Sequence, residues 1–99
     1  MDKREIIELI CNYANEVSSF LKFENVYLYG SYANGTAGKF SDIDVAFIVD
    51  SCDEYYETLV KLNKTANKYN DAIEPVIMIR NQDRSGFLST VSKTGLLVA

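Results

Sequence analysis

The residues with the clearest chemical potential are Asp42 and Asp44, one residue apart at the end of the stretch GSYANGTAGKFSDID, which runs from Gly30 to Asp44. Side chains alternate in direction along a strand, so the two carboxylates share a side if the strand begins by Asp42. Two like charges that close repel unless something positive lies between them. A hard divalent cation such as Mg²⁺ answers that need, because it takes oxygen ligands from one or two carboxylates plus substrate phosphates. The loop ahead of the pair can supply the other half of such a site. Gly30 lets the backbone approach a ligand closely, and Ser31 offers a hydroxyl and a backbone N–H. A short helix beginning after Gly30 would turn its N-terminal N–H groups toward phosphate.

A third carboxylate, Glu74, is the only acid in the apolar run AIEPVIMI. An acid inside an apolar strand is costly unless it is paired or bound to metal. Glu74 can equally sit at an exposed edge beside Pro75, and the residues alone leave both readings open. Gly35 to Ser41 imitates a P-loop, but Ala33 stands where the first glycine is required and Phe40 stands where Ser or Thr must follow Lys39. Lys39 is therefore read as a solvated loop lysine, and Gly35 and Gly38 as loop geometry. The chain has no histidine and only two cysteines, Cys11 and Cys52. That excludes His-based zinc sites and Ser-His-Asp triads. Both thiols are expected free, semi-buried and inert, with no base nearby to activate them.

These residues need a framework to hold them. Ile6, Ile10, Tyr13, Val17 and Phe20 recur at helical spacing, with Ile7, Ala14 and Leu21 widening the stripe, and predict a helix over 2–22 capped by Asp2. NVYLY, residues 25–29, predicts a strand ending at Gly30. IDVAFIV, residues 43–49, is apolar on both faces apart from Asp44 and predicts a covered, central strand. A second helix is expected over 53–70, with Tyr56, Leu59, Val60, Leu62 and Ala66 inward and Lys61, Lys64 and Lys68 solvated. A third strand is expected from Ala72 to Ile79, placed at an edge or a bulge by Pro75. A loop over 82–84, a short helix over 85–94 stopped by Gly95, and a last strand in LLVA complete the order. The expected fold is one α/β (α+β) domain over 1–99, a small mixed sheet flanked by helices.

Gly30-Ser31, then Ser41-Asp42-Ile43-Asp44, then an acid in a later strand, resembles the minimal nucleotidyltransferases of the DNA polymerase β-like superfamily. FLSTVSKTGLL, residues 87–97, is similar to the closing helix, turn and strand of those proteins. The resemblance covers Asn25 to Leu97. It implies that Gly30 and Ser31 hold the phosphates of a nucleoside triphosphate, with ATP expected. It implies that Asp42 and Asp44 bind two Mg²⁺ ions, and that Glu74 completes one metal site and helps deprotonate an attacking hydroxyl. Nucleoside monophosphate, expected to be AMP, would pass to that hydroxyl. Many members carry Arg in an Ala-Arg-Gly run, where this chain has Asn34. The third acid is Glu where Asp is commoner.

Stand-alone members resemble the antitoxin half of MNT/HEPN toxin–antitoxin pairs, which implies a helical HEPN partner and a tyrosine on it as acceptor. The alternative is a catalytically weak or inactive module of the same fold that neutralises a partner by binding. A net charge of −4 argues against non-specific duplex nucleic acid binding. No run approaches the ~18 apolar residues of a membrane span, and the N-terminus lacks a signal-peptide core, so the expected location is cytoplasmic. Tyr27, Tyr29 and Tyr32 flank the loop but are read as core or interface residues with no site role. Exposed apolar surface on the first helix or last strand would suit a partner or a second copy.

Overall fold

The structure is a computed structural model, and it describes residues 2–34, 38, 41–82 and 86–99, without the side chains of Ser31 and Asn34. Helix α1 spans Lys3–Val17. It opens on a reciprocal cap: the Asp2 carboxylate accepts the Glu5 N–H at 2.9 Å, and the Asp2 N–H donates to Glu5. Its buried stripe is Ile6, Ile10, Tyr13, Ala14 and Val17. The helix ends earlier than its apolar periodicity predicts. The Ser18 and Ser19 hydroxyls donate to the carbonyls of Asn15 and Glu16 at 2.6 and 2.8 Å, and such local bonds compete with continued helix. Leu21 is still buried, now from the turn that follows.

Strand β1 is Asn25–Tyr29, α2 is the short helix Ser31–Asn34, and β2 is Ile43–Val49. Helix α3 covers Tyr55–Tyr69, β3 covers Ile73–Ile79, and a 3-10 turn follows over Arg80–Gln82. That turn includes Gln82, where a loop was expected; Arg84 lies outside the described residues. Helix α4, Phe87–Thr94, and β4, Leu96–Leu97, close the chain. The sheet order is β3-β2-β1-β4. β1 runs antiparallel to β2 and to β4, while β3 runs parallel to β2, with α3 as the crossover that a parallel pair requires. Pro75 therefore lies in an edge strand, as its missing N–H predicts.

Helices α1 and α3 cover one face of the sheet. There Val26, Leu28, Val45, Phe47 and Val49 meet Ile6, Ile10, Tyr13, Leu62 and Ala66 in one buried cluster. Tyr13 is its keystone: its ring stands edge-on to Phe47 at 5.6 Å, and its hydroxyl donates to the Leu62 carbonyl at 2.8 Å. Burial pushes that phenol far above its usual range, so it stays a donor. The other face carries α4 and a smaller cluster of Ala46, Ile48 and Val91.

The inward face of α3 needs one correction. Leu62, Thr65 and Ala66 are buried, but Tyr56 is 80% and Val60 is 53% exposed. The row that packs is Tyr55, Leu59, Leu62, Ala66 and Tyr69, at alternating steps of four and three. Tyr56 and Val60 stand one position, about 100°, further round the helix. Lys61, Lys64 and Lys68 are exposed as expected, and Lys68 pairs with Glu16 of α1. Glu16 also accepts the Tyr69 hydroxyl at 2.9 Å, and these bonds hold its carboxyl below the usual range. Both cysteines are free, but Cys11 is exposed and only Cys52 is half-buried. Among the described residues no helix is long and apolar enough to cross a membrane.

Tyr13→Phe removes one buried hydrogen bond while keeping the ring. It should cost about 0.5–1.5 kcal/mol, whereas Tyr13→Ala should cost about 3–5 kcal/mol by emptying the centre of the cluster. Urea midpoints of the two variants check the ordering; equal losses would mean that the ring, not the hydroxyl, is idle in the core.

Candidate active site

The strand pairing decides which polar groups meet. Tyr29, the last residue of β1, lies opposite Asp44 in the antiparallel pair. Asp44 lies opposite Glu74 in the parallel pair. Residues in register on neighbouring strands share a face of the sheet. Tyr29, Asp44 and Glu74 therefore form one row across β1, β2 and β3, on the face that carries α4. Asp42 stands just outside β2, which begins at Ile43, so the strand alternation expected to align it with Asp44 does not reach it. Its charge nevertheless acts on Asp44.

Three influences push the Asp44 carboxyl above its usual range: burial first, then the negative charges of Glu74 and Asp42. All favour the neutral acid, and a bound cation opposes each of them. Tyr29 is raised by the same surroundings, through burial and then through Asp44 and Glu74. The donor set is all oxygen, which suits a hard divalent ion. Among the described residues no three candidate ligands are drawn together closely enough to hold an ion alone. Glu74 is exposed on the edge strand, which is the second of the two readings left open for it, and it lies in register with Asp44.

Gly30 is fixed by two independent constraints. Its φ is +71°, in the left-handed region. A Cβ there would stand 2.4 Å from Asp44 Oδ2, so the glycine surface is what the carboxylate rests against. The chain then turns directly into α2, with the Ala33 N–H donating to the Gly30 carbonyl at 3.1 Å. A short helix does begin after Gly30, with Ser31 as its first residue. The Ser31 and Asn34 side chains, Gly35 and Lys39 lie outside what is described. Ser41 closes the loop: its hydroxyl accepts the Gly38 N–H at 2.8 Å, which is turn geometry rather than ligand chemistry.

The sequence assigns Tyr29 no site role, yet the structure sets it opposite Asp44. Its place beside Asp44 follows from the register of the antiparallel pair, which the residues near it in sequence do not reveal. Nor do they reveal the aromatic contact between Tyr29 and Phe87 of α4, edge-on at 5.5 Å.

Gly30→Ala should lower stability through a left-handed backbone cost of about 1–2 kcal/mol plus the displacement of the Asp44 carboxylate. In an Asp44→Ala background only the backbone cost should remain. A double-mutant cycle reads the difference, and a coupling below about 0.5 kcal/mol would contradict the contact.

The comparisons with known proteins agree with this geometry. The nucleotidyltransferase domain family matches residues 10–93. A protein of Methanocaldococcus jannaschii, carrying the provisional name protein adenylyltransferase, is 31% identical over 99 residues, covering 95% of this chain and 99% of that protein. The crystal structure of a provisionally named nucleotidyltransferase from Sulfolobus solfataricus superposes with a TM-score of 0.63 over 96% of this chain and 80% of that one, at 24% identity, and shows the shared fold. A toxin–antitoxin structure with AMP-PNP covers 100% of this chain and 73% of its own, at 25% identity and a TM-score of 0.58. The family match runs through all three strands that carry Tyr29, Asp44 and Glu74, and the chain belongs to the nucleotidyltransferase domain family, an enzyme of the polymerase β-like fold.

Proposed function

We propose that this nucleotidyltransferase moves AMP from ATP onto a tyrosine hydroxyl of a HEPN-type toxin, and so acts as an antitoxin. The observation that carries the reading is the row of Asp44 and Glu74 in register, with Gly30 pressed against the Asp44 carboxylate. The relative named as a protein adenylyltransferase and the toxin–antitoxin structure with AMP-PNP support the acceptor class and the nucleotide. The reading takes residues 1–99 as one nucleotidyltransferase domain.

In this reading Gly30 and Ser31 receive the triphosphate at the start of α2. Asp42, Asp44 and Glu74 would hold two Mg²⁺ ions, which would supply charge stabilisation to an in-line displacement. Glu74, exposed at the edge, accepts the proton of the acceptor hydroxyl. A bond forms between the acceptor oxygen and the α-phosphorus, the bond to the β-phosphate oxygen breaks, and pyrophosphate leaves. The chain's own contribution is position and charge compensation. The competing reading, inhibition by binding alone, draws on Asn34, which brings no positive charge to the loop.

Transfer from α-labelled ATP with Mg²⁺ to a co-expressed HEPN partner tests the proposal. Asp44→Asn should cut labelling by about a hundredfold or more while the complex still forms. Undiminished labelling in that variant overturns the site assignment. A stable complex that is never labelled, even with wild type, selects binding alone.

The same variant should behave oppositely in stability. Folded Asp44 keeps its proton to higher pH than the unfolded chain does, so the folded state binds more protons between the ordinary carboxylate range and the raised folded value. Stability from this group is present in acid and lost as pH rises through that folded value. Metal-free Asp44→Asn should therefore melt above wild type at pH 7, with the gap closing in acid. A lower melting temperature at pH 7 would show that the Asp44 charge is already compensated.

A further inference from the structure

Beside Gly30, between the end of β1 and helix α4, lies a pocket of about 240 Å³ lined by Tyr29, Gly30, Phe87, Thr90, Val91 and Thr94. Pockets for whole drug-sized ligands run to about 300–1,000 Å³. This one has room for part of a ligand. It shares Tyr29 and Gly30 with the carboxylate site, so whatever fills it is continuous with whatever the acids engage. A larger hollow of about 560 Å³ shares only Phe87 with it and reaches Ile79, the far end of β3 from Glu74, so it does not adjoin the acids.

The walls of the small pocket have a definite chemistry. Phe87, Thr90, Val91 and Thr94 lie on one face of α4, at steps of three, one and three. Tyr29 and Phe87 present aromatic surface, edge-on to each other at 5.5 Å. The two threonine hydroxyls have already spent their protons: Thr90 Oγ1 donates to the Gly86 carbonyl at 3.2 Å and Thr94 Oγ1 to the Thr90 carbonyl at 2.8 Å. What they offer a ligand is lone pairs only. The wall is held close to the sheet by Gly95, where a Cβ would meet the Val91 carbonyl oxygen at 2.6 Å and the Leu28 carbonyl oxygen at 3.0 Å.

We infer that this pocket receives the base of the donor nucleotide and selects a base that bears an exocyclic amino group. A flat aromatic ring packs against Phe87 and Tyr29, and its amino hydrogens donate to the threonine oxygens. A base presenting a carbonyl at that position would meet acceptor against acceptor. The inference rests on the proposed nucleotide site at Gly30 and Ser31, and adds which part of the nucleotide α4 reads.

Equilibrium binding by calorimetry, without turnover, tests it with three probes: ATP, purine riboside triphosphate, which has the same ring without the amino group, and inorganic tripolyphosphate. Wild type should bind ATP about three- to tenfold tighter than the purine analogue. Thr94→Val should erase that preference, and Thr94→Ser, which keeps the oxygen, should retain it. Phe87→Ala should weaken both nucleotides about tenfold and leave tripolyphosphate unchanged. Equal binding of the two nucleotides by wild type, or an unchanged preference in Thr94→Val, overturns the pocket while tripolyphosphate binding leaves the phosphate site standing. Failure of wild type to bind any of the three overturns both together.

Discussion

The structure turns on two carboxylates, Asp44 and Glu74, set side by side on parallel strands. Nothing in folding alone favours this. Asp44 is half-buried in a strand whose other residues, from Ile43 to Val49, are all buried, and every influence on it opposes its charge. Gly30 gives up its side chain and takes a left-handed backbone so that the carboxylate has somewhere to lie. The local rules of strand composition are broken at this acid of β2.

The stability that tolerates this arrangement comes from the opposite face. There α1 and α3 seal the sheet around Tyr13 and Phe47, and Glu16, Lys68 and Tyr69 tie the two helices together at the rim. The site face is lightly covered. Helix α4 buries only Val91, and Tyr27, Tyr29, Val76 and Met78 stay partly open around it. Few buried contacts mean a low cost of local opening on this face. One sheet thus has a dry face that holds the fold and a lightly covered face that carries the polar groups.

What could be read from the sequence was local. The Asp2 cap, the apolar stripe of α1 and the covered run from Ile43 to Val49 depend on neighbours within a few residues, and they stand as expected. The loop glycine was legible because Gly-Ser at a strand end has a physical meaning wherever it occurs. The inward face of α3 differs from the expected one because Tyr56 and Val60 fit a helical stripe as well as Tyr55 and Tyr69 do; the packing of Tyr55, Leu59 and Tyr69 against the core chooses between the two. Tyr29 as a neighbour of Asp44, and Glu74 as edge residue and partner at once, depend on strand order and register, which no short window contains.

Yet register is itself set by apolar residues far from the acids in character. In β2, Val45, Phe47 and Val49 go into the cluster beneath α1 and α3, and alternation then sends Asp44, Ala46 and Ile48 to the other face. In β3, burial of Ile73 and Ile77 in the same cluster sends Glu74, Val76 and Met78 the same way. A slip of one residue in either strand would place an acid in the sealed face and a row of apolar side chains outside, which is why such slips are strongly disfavoured where one face is buried. The hydrophobic pattern that builds the core therefore also brings the two carboxylates together, and the site needs no separate device to align its strands. What remains for the loop is local: a glycine where the carboxylate must rest, and a helix start directly behind it.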